Sequence, residues 1–264
     1  MNTTNIQALK HKKIAIFPTC IVNLMRPSVG IATIKLLEDQ GLQVMVPDTQ
    51  ICCGQPGYNN GDKKNTIKNA QKLIQELQPF DYIVIPSGSC AGMIKHHYLE
   101  LLTDTDWFES AKSVAKKTFE LTQFLSNVLG VNALSAANNS QVITIHDSCA
   151  GLRELKIKDE PRQLLGLKNG ITINEHSQAE VCCGFGGTFC VKYSDVSNQM
   201  VTKKTESLLE TNADSIVAGD LGCLLNIAGK LSRLGSTVEV KHIAEVLAGN
   251  NDTAGIGGTL KDVK

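Results

Sequence analysis

The 264-residue sequence has no excess of charge of either sign and no long apolar run. Lysine plus arginine and aspartate plus glutamate each number 26, so no net field favours nucleic acid or an anionic membrane surface. Aliphatic runs such as residues 83–85 are far too short to span a bilayer. We therefore expect neither nucleic-acid binding nor direct membrane insertion.

The amino terminus lacks the apolar region of a secretion signal. Residues Met1 to Gln7 are polar and lead into a strand-like run that begins near Lys13. This pattern predicts a cytoplasmic protein whose contact with a membrane would come only through a partner.

Two common cofactor signatures are also missing. Neither half has a G-x-G-x-x-G turn after its first strand, which argues against a nicotinamide or flavin bound in that way. The glycine-rich run 184–187 lacks the lysine and serine of a P-loop. Because this run follows a cysteine pair directly, contact with a metal cluster is a better interpretation than phosphate binding.

What the sequence does contain is a duplicated cysteine pattern. Eight of the nine cysteines form two sets, each with a Cys-Cys-Gly unit about midway between two single cysteines: Cys20, Cys52, Cys53 and Cys90, then Cys149, Cys182, Cys183 and Cys223. Corresponding positions lie about 130 residues apart, as expected for an internal duplication. An odd cysteine count in a cytoplasmic chain argues against a disulfide framework.

Strand-like and helix-like segments alternate in both halves, and each patterned thiol follows shortly after a predicted strand. This order predicts an α/β fold with two similar Rossmann-like lobes, each with a parallel sheet. We expect a first lobe over residues 1–131, a second over 141–248 and a loose tail over 249–264. Since ligands of such sheets bind at the carboxyl ends of the strands, the scattered cysteines are expected to converge.

Thiolates are soft ligands that bind zinc, copper(I) or iron–sulfur clusters, so ligand chemistry alone leaves several functions open. Structural zinc sites usually have ligand pairs separated by two to four residues, and neither half has such a pair. Adjacent cysteines suit a polynuclear centre, in which neighbouring thiolates reach different irons. A scaffold protein held together by zinc and a thiol–disulfide reductase remain alternatives. The second fits because a disulfide between adjacent cysteines would be strained and therefore easy to reduce.

Several motifs resemble the CCG cysteine-rich family, which includes the CCG-containing chains of heterodisulfide reductases, glycolate oxidase iron–sulfur proteins and lactate-utilisation proteins of the A type. The resemblance is strongest to the last group and covers nearly the whole chain. It rests on F-P-T-C at 17–20, C-C-G-Q-P at 52–56, P-S-G-S-C at 86–90, H-D-S-C at 146–149 and C-C-G-F-G-G-T-F at 182–189.

The resemblance implies an oxidoreductase subunit of a three-component complex that oxidises L-lactate, a small 2-hydroxy acid, to pyruvate. It also implies a ferredoxin-like iron–sulfur partner, a third subunit, and clusters held by the eight patterned cysteines. In the heterodisulfide reductase branch each repeat ends in Cys-x-x-Cys, whereas Met93 and Asn226 stand at the last position here. A five-thiol cluster is therefore not expected, and four thiols would complete up to one [4Fe–4S] centre in each lobe.

Residues outside the pattern give weaker predictions. His96, His146 and Arg153 lie near patterned cysteines and are candidates for proton transfer or for binding a carboxylate substrate. Cys190 has no counterpart in the first repeat and is interpreted as a packing thiol rather than a spare ligand.

Overall fold

The computed structural model describes residues 3–48, 51–134, 140–249 and 254–257. Within these residues, eight strands form two parallel four-stranded sheets, one from each half of the chain. The first sheet has the order β2-β1-β3-β4, with β1 Ile14–Ile16, β2 Val44–Met45, β3 Tyr82–Ile85 and β4 Thr118–Glu120. The second has the order β6-β5-β7-β8, with β5 Gln141–Ile145, β6 Ile171–Ile173, β7 Ser215–Ala218 and β8 Glu239–His242.

Helices connect successive strands in both lobes. In the first half they are α1 Thr3–Leu9, α2 Cys20–Met25, α3 Pro27–Glu38, α4 Gln55–Asn59, α5 Lys63–Leu77, α6 Gly88–Gly92, α7 Tyr98–Leu102, α8 Phe108–Lys116 and α9 Leu121–Gln123. In the second half they are α10 Cys149–Arg153, α11 Asp159–Gly166, α12 Phe189–Lys192, α13 Ser194–Leu209, α14 Leu221–Arg233 and α15 Ile243–Ala248. One π-helical turn, Met93–His97, joins α6 to α7, and another, Phe124–Val128, follows α9. No helix of the described ranges is both long and apolar enough to cross a bilayer.

The strands of the two lobes pair in the same register, which confirms the predicted fold class. After β1 ends, the amide of Phe17 donates to the carbonyl of Val84 at 3.0 Å. After β5 ends, the amide of His146 donates to the carbonyl of Val217 at 2.9 Å. Phe17 and His146 are therefore equivalent positions. The strands β1 and β7 are buried along their whole length, as expected for parallel strands covered on both faces.

Among the elements that the sequence pattern does not predict are α8 and β4 of the first lobe. The sequence of β4 is only Thr-Phe-Glu, so it carries no apolar run. Its Thr118 and Glu120 are nevertheless buried, because β4 pairs with β3 and the Glu120 carboxylate accepts hydrogen bonds from the amides of Thr122 and Gln123. Of the predicted linker and tail, residues 135–139, 250–253 and 258–264 lie outside the described part of the chain.

The lobes share a continuous apolar core. One cluster contains side chains from both sheets, such as Ile16 and Val84 of the first and Ile145 and Val217 of the second. A second cluster lies on the opposite face of the first sheet and contains Phe17 together with thiols of the first repeat. Successive side chains of a strand point to opposite faces of the sheet, so the first sheet contributes to both clusters. The loops that carry the thiols follow these buried strands.

Candidate metal centre

The four patterned thiols of the first lobe gather at the carboxyl edge of its sheet. Cys20 is the first residue of α2, Cys52 and Cys53 lie in the loop before α4, and Cys90 lies in α6. The Sγ atoms of Cys53 and Cys90 are 3.3 Å apart, and the amide of Gly54 donates to the sulfur of Cys52 at 3.4 Å. Cys53 and Cys90 are buried, whereas Cys20 and Cys52 are half-buried.

The second lobe repeats this arrangement. Cys149 begins α10, Cys182 and Cys183 lie in the loop after β6, and Cys223 lies in the first turn of α14. The amide of Gly184 donates to the sulfur of Cys182 at 3.4 Å, which is the distance found in the first lobe. Burial is the same as well: Cys183 and Cys223 are buried, and Cys149 and Cys182 are half-buried.

The glycine after each cysteine pair is required by the backbone and by the packing. Gly54 has φ 88° and Gly184 has φ 84°, values that side chains other than glycine rarely adopt. A Cβ at Gly54 would lie 3.2 Å from Thr66 of α5, and one at Gly184 would lie 2.9 Å from the carbonyl oxygen of Ser197 of α13. The glycines therefore let each loop press against a helix while their amides point at sulfur.

The thiols of each lobe share protons. The thiols of Cys20 and Cys53 hydrogen-bond to the sulfur of Cys52 and lower its pKa to about 3. Hydrogen bonds to Cys52 and burial in turn raise the pKa values of Cys20 and Cys53.

In the second lobe, the thiols of Cys149 and Cys183 lower the pKa of Cys182 to about 2 in the same way. In each lobe the neighbouring thiols thus lower the pKa of the first cysteine of the pair, and a bound metal would replace the thiol protons.

This donor set fits a soft metal or an iron–sulfur centre. Two thiolates on one tetrahedral metal at about 2.3 Å lie about 3.8 Å apart, so Cys53 and Cys90 are near the spacing for one shared metal, whereas a four-iron centre binds each thiolate to a different iron and needs them further apart. The backbone around each pair is also fixed by side chains, since Tyr98 Oη donates to the carbonyl of Cys53 at 2.8 Å. Asn226 Nδ2 donates to the carbonyl of Cys183 at 2.9 Å.

The surroundings of the two thiol sets differ in polarity. Phe17 of the first lobe corresponds to His146 of the second by register. Thr66 of α5 packs against Gly54, and Ser197 of α13 packs against the equivalent Gly184. Seven residues further along these helices, the first lobe has Leu73 and the second has Lys204. Both side chains are fully buried. The second thiol set therefore lies beside an imidazole and an ammonium group, whereas the first lies beside two apolar side chains.

His146 is the sequence candidate that the structure places beside thiols. Its side chain is 1% exposed, and one ring nitrogen and the Sγ atoms of Cys183 and Cys223 all lie within 4.8 Å of one another. Burial, followed by the charges of Lys204 and His176, lowers the pKa of His146 to about 3, so the ring is neutral near pH 7.

The other candidates lie at the surface. His96 is exposed in the π-helical turn after α6, and Arg153 is exposed at the end of α10. The thiol of Cys190 donates to the carbonyl of Gly187 at 3.2 Å. That local bond links Cys190 to the glycine-rich turn.

Neither Lys204 nor the nearby ion pair of Arg162 and Asp147 was predicted from the sequence. The Nζ of Lys204 donates to the carbonyls of Gln178 and Ala179, and burial lowers its pKa to about 8 although the nearby cysteines and Asp147 oppose the shift. Arg162 forms a two-pronged ion pair with the buried Asp147, with both N–O distances 2.9 Å. Nothing in the local pattern marks these charges, because their burial depends on the packing of α13 and α11 against the sheet.

Comparisons with known proteins agree with this geometry. The model of the cysteine-rich domain family named CCG matches residues 14–95 and 143–228. The chain is 43% identical over 235 residues to lactate utilization protein A of Bacillus pumilus (strain SAFR-032), covering 89% of this chain and 98% of the relative. The same values hold for lactate utilization protein A of Bacillus subtilis (strain 168).

A solved structure also resembles the chain. The crystal structure of a hypothetical protein from Helicobacter pylori superimposes with a TM-score of 0.67 at 12% identity and covers 97% of this chain. The match spans 56% of that longer protein. At this identity the likeness supports the fold alone.

Proposed function

The chain belongs to the cysteine-rich CCG-domain family and to its lactate utilization protein A group, and we propose that it is the electron-carrying iron–sulfur subunit of a complex that oxidises L-lactate to pyruvate. The observation that supports this role best is the gathering of four thiols at the same edge of each sheet. Two such sets in one chain suit a relay of electrons rather than a single structural staple.

We assign the eight patterned cysteines as ligands of up to one [4Fe–4S] centre in each lobe. Such a centre supplies reversible one-electron transfer when it is bound. The chain's own part is to bury Cys53, Cys90, Cys183 and Cys223 away from water and to aim the amides after each pair at sulfur. Hydrogen bonds to ligand sulfur and solvent exclusion are two of the factors that set a cluster's potential.

The oxidation of lactate to pyruvate releases two electrons and two protons, so a one-electron carrier needs partners. We propose a ferredoxin-like iron–sulfur subunit and a third subunit, with the first acceptor of the electron pair outside this chain. The missing G-x-G-x-x-G turns support that division, because a nicotinamide or flavin bound by this fingerprint has no place in the sequence.

The first test is metal content. Anaerobically purified protein is expected to be brown and to contain about four iron and four sulfide per lobe. Cys53→Ser and Cys183→Ser are each expected to remove about half of the iron, whereas Cys190→Ser, a matched change outside the pattern, leaves it unchanged. Stoichiometric zinc without iron would support a scaffold and contradict the proposal.

The second test is electron transfer in the assembled complex. L-lactate added anaerobically to the chain with its two partner subunits is expected to bleach the visible absorption of the centres. If Cys183→Ser retains its iron but blocks this reduction, thiol–disulfide chemistry becomes the better interpretation. If lactate leaves the absorption unchanged, the proposed reaction is wrong.

A further inference from the structure

We propose that His146 is a ligand of the second-lobe metal centre, so that one centre of the chain has a mixed cysteine–histidine ligand set and the other has cysteine ligands only. This inference rests on the proposed function in one respect, namely that a metal centre binds to the second thiol set. It goes beyond that function because it assigns a non-cysteine ligand and makes the two centres chemically different.

The first observation is the position of the imidazole. His146 follows β5, and its side chain is 1% exposed. One of its ring nitrogens and the Sγ atoms of Cys183 and Cys223 all lie within 4.8 Å of one another. Those two thiols belong to different elements, the loop after β6 and the helix α14. Three soft or borderline donors from three separate elements thus meet at one point, which is the geometry of a metal site.

The second observation is that the imidazole has no other role among the described residues. Neither ring nitrogen of His146 has a hydrogen-bond partner there, although both are buried. Buried polar groups in native proteins are nearly always paired, because an unpaired group loses its bonds to water without compensation. A metal bond would satisfy one nitrogen. A water molecule in the small cavity of about 30 Å³ that borders His146, Glu120 and Gly219 could satisfy the other.

The third observation is the first lobe, which serves as an internal comparison. Phe17 stands at the equivalent register and packs in an apolar cluster, so the fold itself does not require a polar side chain there. The imidazole is therefore a special feature of the second lobe. Lys204, in the place of Leu73, adds a buried positive charge on the same side, which would balance metal-bound thiolates.

Ligand identity is one of the main factors that set the potential of an iron–sulfur centre, and a neutral imidazole is a different donor from a thiolate. A histidine ligand in one lobe only would therefore separate the potentials of the two centres. Two centres of unequal potential give the electron a direction of travel through the chain.

The test is pulsed electron paramagnetic resonance on the anaerobic, dithionite-reduced full chain, prepared with natural-abundance and with ¹⁵N-labelled histidine. We expect a strongly coupled nitrogen that changes with the label in the wild-type protein and is lost in His146→Phe, which copies the first lobe. His176→Gln is the matched control, because His176 is a buried histidine of the same lobe that already bonds to Ser207 Oγ at 3.0 Å. This control is expected to retain the coupling.

A second variant distinguishes the loss of the imidazole ligand from misfolding of the protein. His146→Cys offers a thiolate in place of the imidazole, so it is expected to keep the iron and lose the nitrogen coupling. Iron release to a chelator is expected to be about tenfold or more faster in His146→Phe than in the wild-type protein, and unchanged in His176→Gln.

The outcomes separate this inference from the proposed function. Iron-loaded wild-type protein without a coupled imidazole nitrogen, or coupling that persists in His146→Phe, overturns the histidine ligand and leaves the iron–sulfur function intact. A protein that binds no iron in the second lobe overturns both.

Discussion

Replacing Arg26 by methionine is expected to destabilise the protein by about 3–5 kcal/mol, because it leaves a buried carboxylate without a cation. Arg26 lies between α2 and α3 of the first lobe, and its Nε donates to both oxygens of Glu245 of α15 at 2.9 and 3.0 Å. The Glu245 side chain is 1% exposed and that of Arg26 is 12% exposed. Ser28 Oγ and the amide of His242 donate to the same carboxylate, and Arg26 Nη2 donates to the carbonyl of Ala254.

The magnitude follows from burial. Methionine preserves most of the apolar stem of Arg26, so the principal loss is the positive charge and its three hydrogen bonds. The double variant Arg26→Met/Glu245→Gln removes the uncompensated charge and is expected to recover about half of the lost stability or more. Lys112→Met is the matched control, because its partner Glu109 is 79% exposed and such surface pairs contribute about 1 kcal/mol or less.

The assay is urea denaturation followed by circular dichroism, with all variants at the same iron content. With an m-value of about 3 kcal/mol/M, the single variant is expected to lower the midpoint by about 1–1.7 M. A loss below about 1 kcal/mol, or a double variant that is no more stable than the single one, would refute the argument that Arg26 compensates the buried charge of Glu245.

Two further predictions concern packing and pH. Gly88→Ala is expected to cost about 1–3 kcal/mol, because the new Cβ would lie 3.1 Å from the backbone of Gly151 in the other lobe. Gly166→Ala meets no atom within 4 Å and is expected to be neutral or to stabilise by up to about 1 kcal/mol, and equal midpoints in urea for the two variants would contradict this. Burial lowers the pKa of His242 from 6.5 to about 4, so the unfolded chain takes up a proton first as the pH falls. Stability is therefore expected to be unaffected by this group above pH 6.5 and to fall by up to about 3 kcal/mol between pH 6.5 and 4. His242→Asn retains an acceptor for the amide of Ala244 and is expected to flatten that part of the profile; an unchanged slope would show that other groups cause it.

The duplicated cysteine spacing and the order of strands were sufficient to predict two parallel-sheet lobes and the convergence of the thiols. The reason is topological. Parallel strands present their carboxyl ends at one edge, so residues that follow β1, β2 and β3 meet there even though Cys20 and Cys90 are 70 positions apart. The glycine after each pair was likewise visible in the sequence, and the structure supplies the positive φ and the helix contact that require it.

Tertiary structure alone decided how the two lobes differ and how they are joined. The sequence marked His146, His96 and Arg153 with equal weight, but only folding buries the first beside thiols and leaves the other two at the surface. Lys204 lies on a helix of mixed polarity, and its desolvation depends on which face packs against the sheet. The contact between Arg26 and Glu245 spans 219 positions, and no local periodicity encodes a partner at that distance. Desolvation and long-range pairing are properties of the packed chain, because each depends on atoms that sequence neighbours do not supply.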